Sequence, residues 1–346
     1  MDFSIASILM LDGVTNGAIY ALLGIATVLV FTVTRVIFIP QGEFVTYGAL
    51  TLAILQTGKV PGTVWLLLIL AALAAAMDGL AQWRRQHHLL ASLKAVAKTL
   101  AVPAAVAAVT AWAAPMQAPL LVQAFLSICI VTAFGPLVYR VAFQSLADAT
   151  PLVLLIVSVG VHFAMTGLGL LFFGAEGFRN PPFWDLRLAL GPVSLTGQTL
   201  IIAVVSGALI VLLWLFFERS VYGKALRATA VNRLGARLMG ISSPAAGQLT
   251  FAMAALIGAL SGLLIGPTTT VFYDSGFLIG LKGFVAAVVA GLSSYPGALG
   301  GALFVGVVEA FGSFYASSFK EVIVFTIILP VLLWRSLNGD HSDEEH

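Results

Sequence analysis

Eleven apolar segments, at about 10–34, 43–56, 62–79, 99–114, 118–138, 151–174, 198–217, 245–266, 280–292, 298–316 and 321–335, follow one another along a chain of 346 residues. A water-soluble core cannot take in so many, whereas a bilayer accepts each as a helix, because about 20 apolar residues cross its hydrocarbon. Hydrophobic residues make up 60% of the chain and charged ones 9%. The expected class is therefore an all-α integral membrane protein, a polytopic helical bundle with about 9–11 transmembrane or re-entrant helices. The segments at 43–56, 280–292 and 321–335 are short for a full crossing, and they read as broken or re-entrant helices lining a protein-walled cavity. The opening MDFSIASILMLDG has neither a basic n-region nor an Ala-x-Ala cleavage site, so the first span is expected to be retained. Residues 1–336 read as the membrane domain and 337–346 as a short polar tail.

Charge orients this bundle. If all eleven segments cross, the termini lie on opposite faces. Placing the polar interval Glu218–Pro244 in the cytoplasm gathers Arg35, Arg84, Arg85, Lys94, Lys98, Arg140, Arg219, Lys224, Arg227, Arg233, Arg237 and Arg335 on that side. These are 12 of the 17 lysines and arginines, leaving Lys59, Arg179, Arg187, Lys282 and Lys320 outside. The bias predicts an external N-terminus and a cytoplasmic C-terminus. The interval itself, 218–244, is rich in alanine, with Gly240 as a C-cap and Pro244 as a stop, and it reads as one short cytoplasmic helix. Its small residues leave room for a partner surface; a loop that merely orients the bundle is the alternative. Leu80–Lys98 is basic and partly amphipathic, which suits a surface helix or an inside connector. Gly174–Gly197, the longest external loop, carries Phe178, Phe183 and Trp184 as interfacial anchors or as a docking surface. A net charge of +2, spread by topology, argues against nucleic acid as a partner.

Polar groups at membrane depth are functional candidates because their burial costs free energy. Asn16 and Tyr20 share a helix face. Gln41 and Glu43 follow Pro40 at the start of a short helix, where the helix dipole favours a carboxylate. His162, Tyr273, Lys282 and Glu309 complete a set that could line a polar translocation path. Each also has a purely structural alternative: Glu43 as a helix N-terminal carboxylate, His162 as a hydrogen-bonded core histidine, Lys282 as a snorkelling interface residue, Glu309 as one half of a helix-to-helix hydrogen bond. No catalytic signature is present: no G-x-x-x-x-G-K-[ST], H-E-x-x-H or G-x-S-x-G, and no paired Asp-rich motif. The single cysteine, Cys129, excludes a disulfide within the chain and a thiolate metal site, and the adjacent His87 and His88 point to different helix faces. No metal or cofactor is expected, so any ATP must be bound by another chain. Glycines at four-residue spacing, Gly13 and Gly17, Gly258, Gly262 and Gly266, Gly297 and Gly301, predict close helix packing.

Four separated stretches, in order, then resemble one family. DGVTNGAIYALLGIATVLVF near the start, QGEF at Gln41–Phe44, YGKALRATAVNRLGARLMGI at Tyr222–Ile241 and GLKGFVAAVVAGLSSYPGALGGALFVGVVEAF at Gly280–Phe311 resemble the LivH-type permease subunit of branched-chain amino-acid ABC importers. The resemblance implies a subunit of the bacterial inner membrane with no activity of its own, paired with a homologous LivM-like permease. It further implies two cytoplasmic ABC ATPases and a periplasmic solute-binding protein. Gly223, Lys224, Arg227, Ala228, Arg233, Ala236, Arg237, Gly240 and Ile241 would form the coupling helix that sits in the ATPase groove. Gly291, Gly297, Ala298, Gly300 and Gly301 would make a tight inside turn near the same partner. The chain departs from the family in reading IFIPQGE at Ile37–Glu43, where an N-F-A-H-G-E-like run is usual, and in carrying Asn232 where an acid is common. Residues 80–117 resemble an insertion that adds two spans. The solute implied is a branched-chain amino acid or a related small polar or carboxylate compound, urea, short amides and aromatic or alicyclic acids among them. A stand-alone secondary transporter or channel is the alternative, and it would need a coupling-ion site or a continuous polar pore within this one chain.

Overall fold

The computed structural model describes all residues except Met1, Asp2, His87, His88, Gly191, Pro192, Ser293, Ile328, Leu332 and 334–346. His87, His88, Arg335 and the 337–346 tail thus lie outside the described residues. In chain order the elements are α1 (Phe3–Thr34), α2 (Gln41–Gln56), α3 (Gly62–Gln86), α4 (Leu89–Ala113), α5 (Leu120–Val138), α6 (Pro151–Phe173), β1 (Arg187–Leu190), β2 (Val193–Thr196), α7 (Gly197–Arg219), α8 (Val221–Val231), α9 (Arg233–Leu238), α10 (Ser243–Ile265), α11 (Ser275–Val289), α12 (Tyr295–Tyr315) and α13 (Lys320–Thr326). Among the described residues eight helices, α1, α3–α7, α10 and α12, are long and apolar enough to cross a membrane. The all-α bundle holds, with one addition that the sequence did not signal. In the long loop between α6 and α7, β1 and β2 pair antiparallel, Arg187 opposite Thr196 and Leu190 opposite Val193.

Helix α2 is the pivot of the packing. Its 16 residues span about 24 Å, short of the ~30 Å hydrocarbon, and all but Ile54 and Gln56 are buried. It lies among α5, α10 and α11. Such enclosure needs backbones at close quarters, and glycine supplies them. A Cβ on Gly42 would overlap the Gly276 carbonyl, so α2 and α11 meet main chain to main chain. The spaced glycines foreseen from sequence act in the same way. A Cβ on Gly13 would lie 2.6 Å from Val307 Cα, and one on Gly17 would lie 2.9 Å from Leu303 Cα, which sets α1 along α12. Gly258 and Gly262 face Phe44 and Val45 of α2, and Gly301 faces Ala286 of α11.

The two ends of the bundle differ. At one, Arg35, Asp148 and Arg237 line a common cleft, Arg140 pairs with Asp78, and Tyr295 stacks on Phe217 with ring centroids 5.4 Å apart. At the other, Arg179 donates to the carbonyls of Pro267 (3.1 Å) and Thr268 (3.2 Å), and Phe178 bridges to Val271. Phe183 packs on the Leu52, Ala124 and Leu263 cluster. Of the three expected anchors, only Trp184 is therefore left substantially exposed, at 50%.

Of the two readings for Leu80–Lys98 the connector holds: it supplies the last turns of α3 and the first turns of α4, which pack together as a hairpin and are each long and apolar enough to cross a membrane. Two other expectations are corrected. Residues 80–117 accordingly hold one whole helix and the lengthening of another, not two added spans. The tight turn lies directly after α11, with positive φ at Gly291 (80°) and Leu292 (58°), whereas Gly297, Ala298, Gly300 and Gly301 belong to the first turns of α12, capped by Ser294.

Candidate functional site

The polar interval folds as an elbow of two helices, not one. Its alanines favour helix throughout, but Asn232 takes an extended conformation (φ −146°, ψ 100°) between α8 and α9, and its Oδ1 accepts from Gly235 N at 2.8 Å. An Asn side chain satisfies a helix N-terminus better than it serves a helix interior, so the chain breaks and restarts there. Ser220 caps α8 through Gly223 N at 3.0 Å. Gly240 (φ 84°) closes α9, with Gly240 N on Arg237 O and Ile241 N on Ala236 O, both 3.0 Å, a Schellman arrangement. Pro244 does not stop this segment; it lies in the first turn of α10, behind the Ser242 cap.

The expected coupling residues divide by burial. Gly223 presses on the main chain of Phe216 and Phe217, and Ala236 is buried. Leu226 joins Leu29, Val33, Phe217 and Ala246 in a small core that roots the elbow. Lys224, Arg227, Ala228 and Gly240 are exposed. So are four apolar side chains: Val221 (80%), Val231 (85%), Leu238 (80%) and Met239 (84%). A cavity of about 550 Å³ lies in the crook, lined in part by Lys224, Arg227, Asn232 and Ile241. The arginines are committed within the chain. Arg227 pairs with Glu218 (3.0 Å) and donates to the Phe217 carbonyl. Arg233 Nη1 donates to Ala147 O (2.9 Å), and Arg237 reaches Ser243 Oγ (2.8 Å) and Asp148 (3.2 Å).

The buried polar residues form two groups. Tyr20 Oη donates to Glu309 Oε2 at 2.6 Å, so the expected helix-to-helix hydrogen bond of Glu309 is present. Lys282 Nζ lies 2.5 Å from Glu309 Oε1 and 3.1 Å from Glu321 Oε1, and 5.7 Å from the centroid of the Tyr20 ring. At 5% exposure in the middle of α11, Lys282 neither snorkels nor belongs to an external loop. Each charge here has an opposite partner, the condition under which ionised groups tolerate burial. Glu321 was not singled out from sequence, since it stands at the head of an apolar segment beside Lys320.

In the second group, Glu43 is fully buried in the first turn of α2, with Oε1 3.0 Å from His162 Nδ1. The contact does not meet hydrogen-bond geometry, and Glu43 Oε1 and His162 Nδ1 are each buried without a hydrogen-bond partner. The imidazole packs against Phe163 and Phe277 at 5.2 and 4.9 Å between centroids. Gln41 Nε2 donates to Ala254 O (2.9 Å), while its Oε1 is buried without a partner. Among the described residues no hydrogen bond or ion pair links the two groups, and the half-buried Asn16 and Tyr273 join neither.

Residues 95–332 match the model of a family described as branched-chain amino acid transport system / permease component. That range contains the elbow, His162, Lys282, Glu309 and Glu321, and leaves out Tyr20, Gln41 and Glu43. BraD of Pseudomonas aeruginosa, a high-affinity branched-chain amino acid transport system permease protein, is 33% identical over 216 residues, covering 60% of this chain and 70% of that one. LivH of Salmonella typhimurium and LivH of Escherichia coli K12, described in the same words, are 32% and 31% identical over 214 residues, with the same shares covered. A solved structure, PsaBC from Streptococcus pneumoniae in complex with Fab, covers 95% of this chain and 94% of its own at 12% identity, with a TM-score of 0.43, a likeness too distant to bear on fold or function.

Proposed function

Because the chain belongs to the branched-chain amino acid transport permease family, we infer that its elbow is where a separate ATP-hydrolysing subunit docks, and that its bundle passes a branched-chain amino acid or a related small polar or carboxylate solute. The family makes it the membrane-spanning permease subunit of an ABC importer, a multi-pass protein of the inner membrane. One observation carries the docking reading: four apolar side chains at least 80% exposed crown the polar, arginine-rich end of the bundle, where an exposed apolar patch marks a binding surface.

In this reading Lys224, Arg227, Ala228 and Gly240 meet the ATPase, Gly223 and Ala236 seat the elbow on the bundle, and Arg233 and Arg237 carry its movement inward. ATP-driven closure of two ATPase subunits then biases the bundle between outward- and inward-open states. A homologous LivM-like permease completes the pore, and a periplasmic solute-binding protein delivers the solute to the external end, where the N-terminus lies. The C-terminus is cytoplasmic. Nucleotide is held by the ATPase chains, and this subunit contributes no catalytic, metal or cofactor site. Asn16, Tyr20, Gln41, Glu43, His162, Tyr273 and Glu309 are assigned to the translocation path. Their separation into unlinked groups favours a partnered permease over a self-sufficient transporter, which would need a continuous polar route within this chain.

The test is reconstitution of the chain with its partner subunits in vesicles, with ATP supplied on the elbow side. Labelled leucine should accumulate only with ATP, and the paired Leu238→Glu and Met239→Glu substitution should release the ATPase subunits and abolish uptake while leaving the permease in the membrane. Uptake without ATP, or full retention of the ATPases by that variant, overturns the proposal.

A further inference from the structure

A further charged cleft lies away from the elbow, where the α3–α4 hairpin leans on the bundle. It has a volume of about 770 Å³, and its lining includes Lys98, Arg140, Gln144 and Gln248 beside the apolar Val102 and Leu137. Asp78, the acid of the cleft, is already saturated: it pairs with Arg140 and accepts from Thr99 Oγ1 at 2.5 Å. Gln144 and Gln248 bond to each other at 3.2 Å. Arg140 Nε is buried with no hydrogen-bond partner, and Lys98 is exposed with no partner among the described residues. With Lys98 and Arg140 against Asp78, the cleft keeps one uncompensated positive charge.

Depth and walls say what could answer that charge. Gln248 stands five residues beyond the start of α10, about 7 Å inside the arginine-rich end of the bundle, which is headgroup depth in a bilayer. Beyond Asp78, α3 runs on for eight residues, about 12 Å, to Gln86, and the projecting tip of the hairpin carries Arg84 and Lys94. The outer faces of the same helices expose Leu73, Met77, Leu80 and Val102, so an apolar chain leaving the cleft meets lipid, not water. We propose that this cleft binds the phosphate of an anionic phospholipid from the adjoining leaflet, with Lys98 and Arg140 as its cationic contacts and the acyl chains lying along α3 and α4. Basic pockets between membrane helices at this depth are suited to such headgroups.

Native mass spectrometry of the purified full-length chain, with phosphatidylglycerol or phosphatidylcholine added, reads the site directly. The wild-type chain should retain phosphatidylglycerol in preference to phosphatidylcholine. Lys98→Gln should lower that retention about fivefold, and Lys98→Arg, which keeps the charge, should preserve it. Equal retention of the two lipids, or unchanged retention in Lys98→Gln, overturns the proposal. So does displacement of phosphatidylglycerol by soluble glycerol phosphate at matched concentration, which would make the occupant a soluble phosphate and not a lipid.

Discussion

Lys282 matters to the fold chiefly through what its partners would become without it, and the converse holds for Glu309. Glu309 holds Lys282 at 2.5 Å and Tyr20 at 2.6 Å, so neutralising it leaves a buried ammonium to Glu321 alone. Glu309→Gln is expected to cost about 3–5 kcal/mol, the range for breaking one half of a buried ion pair, seen as a lowered unfolding temperature in detergent. Replacing both partners, Lys282→Met with Glu309→Leu, should cost much less, because Glu321 is partly exposed and can be solvated. A single substitution no worse than the double one would refute this account. All three original members of the cluster were visible in the sequence as polar residues in apolar runs. Their pairing was not, since Tyr20 lies 289 positions from Glu309 and no local periodicity reports so distant a contact. Likewise Glu43 was legible as an N-terminal helix carboxylate, while His162, which faces it, comes from a different helix.

The elbow shows where element-level reading succeeds and where it slips. Helix propensity summed over 218–244 is high, and that reasoning finds the helical segment and its Gly240 terminus. Propensity is a weak prior at any single position, however, and the competing hydrogen bond that Asn232 Oδ1 accepts from Gly235 N divides the segment. Asn232→Asp should keep the break, whereas Asn232→Ala should lose about 1 kcal/mol of capping and favour a continuous α8–α9 helix. Pulsed hydrogen exchange at Arg233–Gly235 would then show altered protection, and none if the break is set elsewhere. For α2 the governing quantity is the space between helices. Gly42→Ala places a methyl against the Gly276 carbonyl and should destabilise the bundle by about 1–3 kcal/mol or more. Gly160→Ala, which meets nothing within 4 Å, should be neutral or slightly stabilising. Equal behaviour of the two variants in thermal unfolding would remove close packing as the reason for Gly42. The four-residue glycine spacing on α1 and α10 was readable; the Gly42–Gly276 crossing was not, because Gly42 has no glycine four residues away on α2 and the residues it meets, Gly276 and Gly280, come from a helix distant in sequence.

At the scale of the whole molecule, the sorting of cations was legible because sidedness is written into loop composition. Arg35, Lys98, Arg140 and the elbow arginines do share one end. Cysteines substituted at Lys224 and at Lys59, in a Cys129→Ser background, should react with a membrane-impermeant reagent from opposite faces, Lys59Cys from outside the cell. Labelling of both from one face would break the proposed topology. What composition could not convey is how that end is fastened. Arg233 and Arg237 grip Ala147 and Asp148, and three residues past Asp148 the chain becomes α6, which carries His162 to Glu43 and whose Ser158 Oγ accepts from Ile39 N at 2.9 Å. The fastening acts as a tow-line: a pull on the elbow that leaves those two arginine contacts intact must drag the foot of α6 with it, and the tug arrives at His162, set against a buried carboxylate.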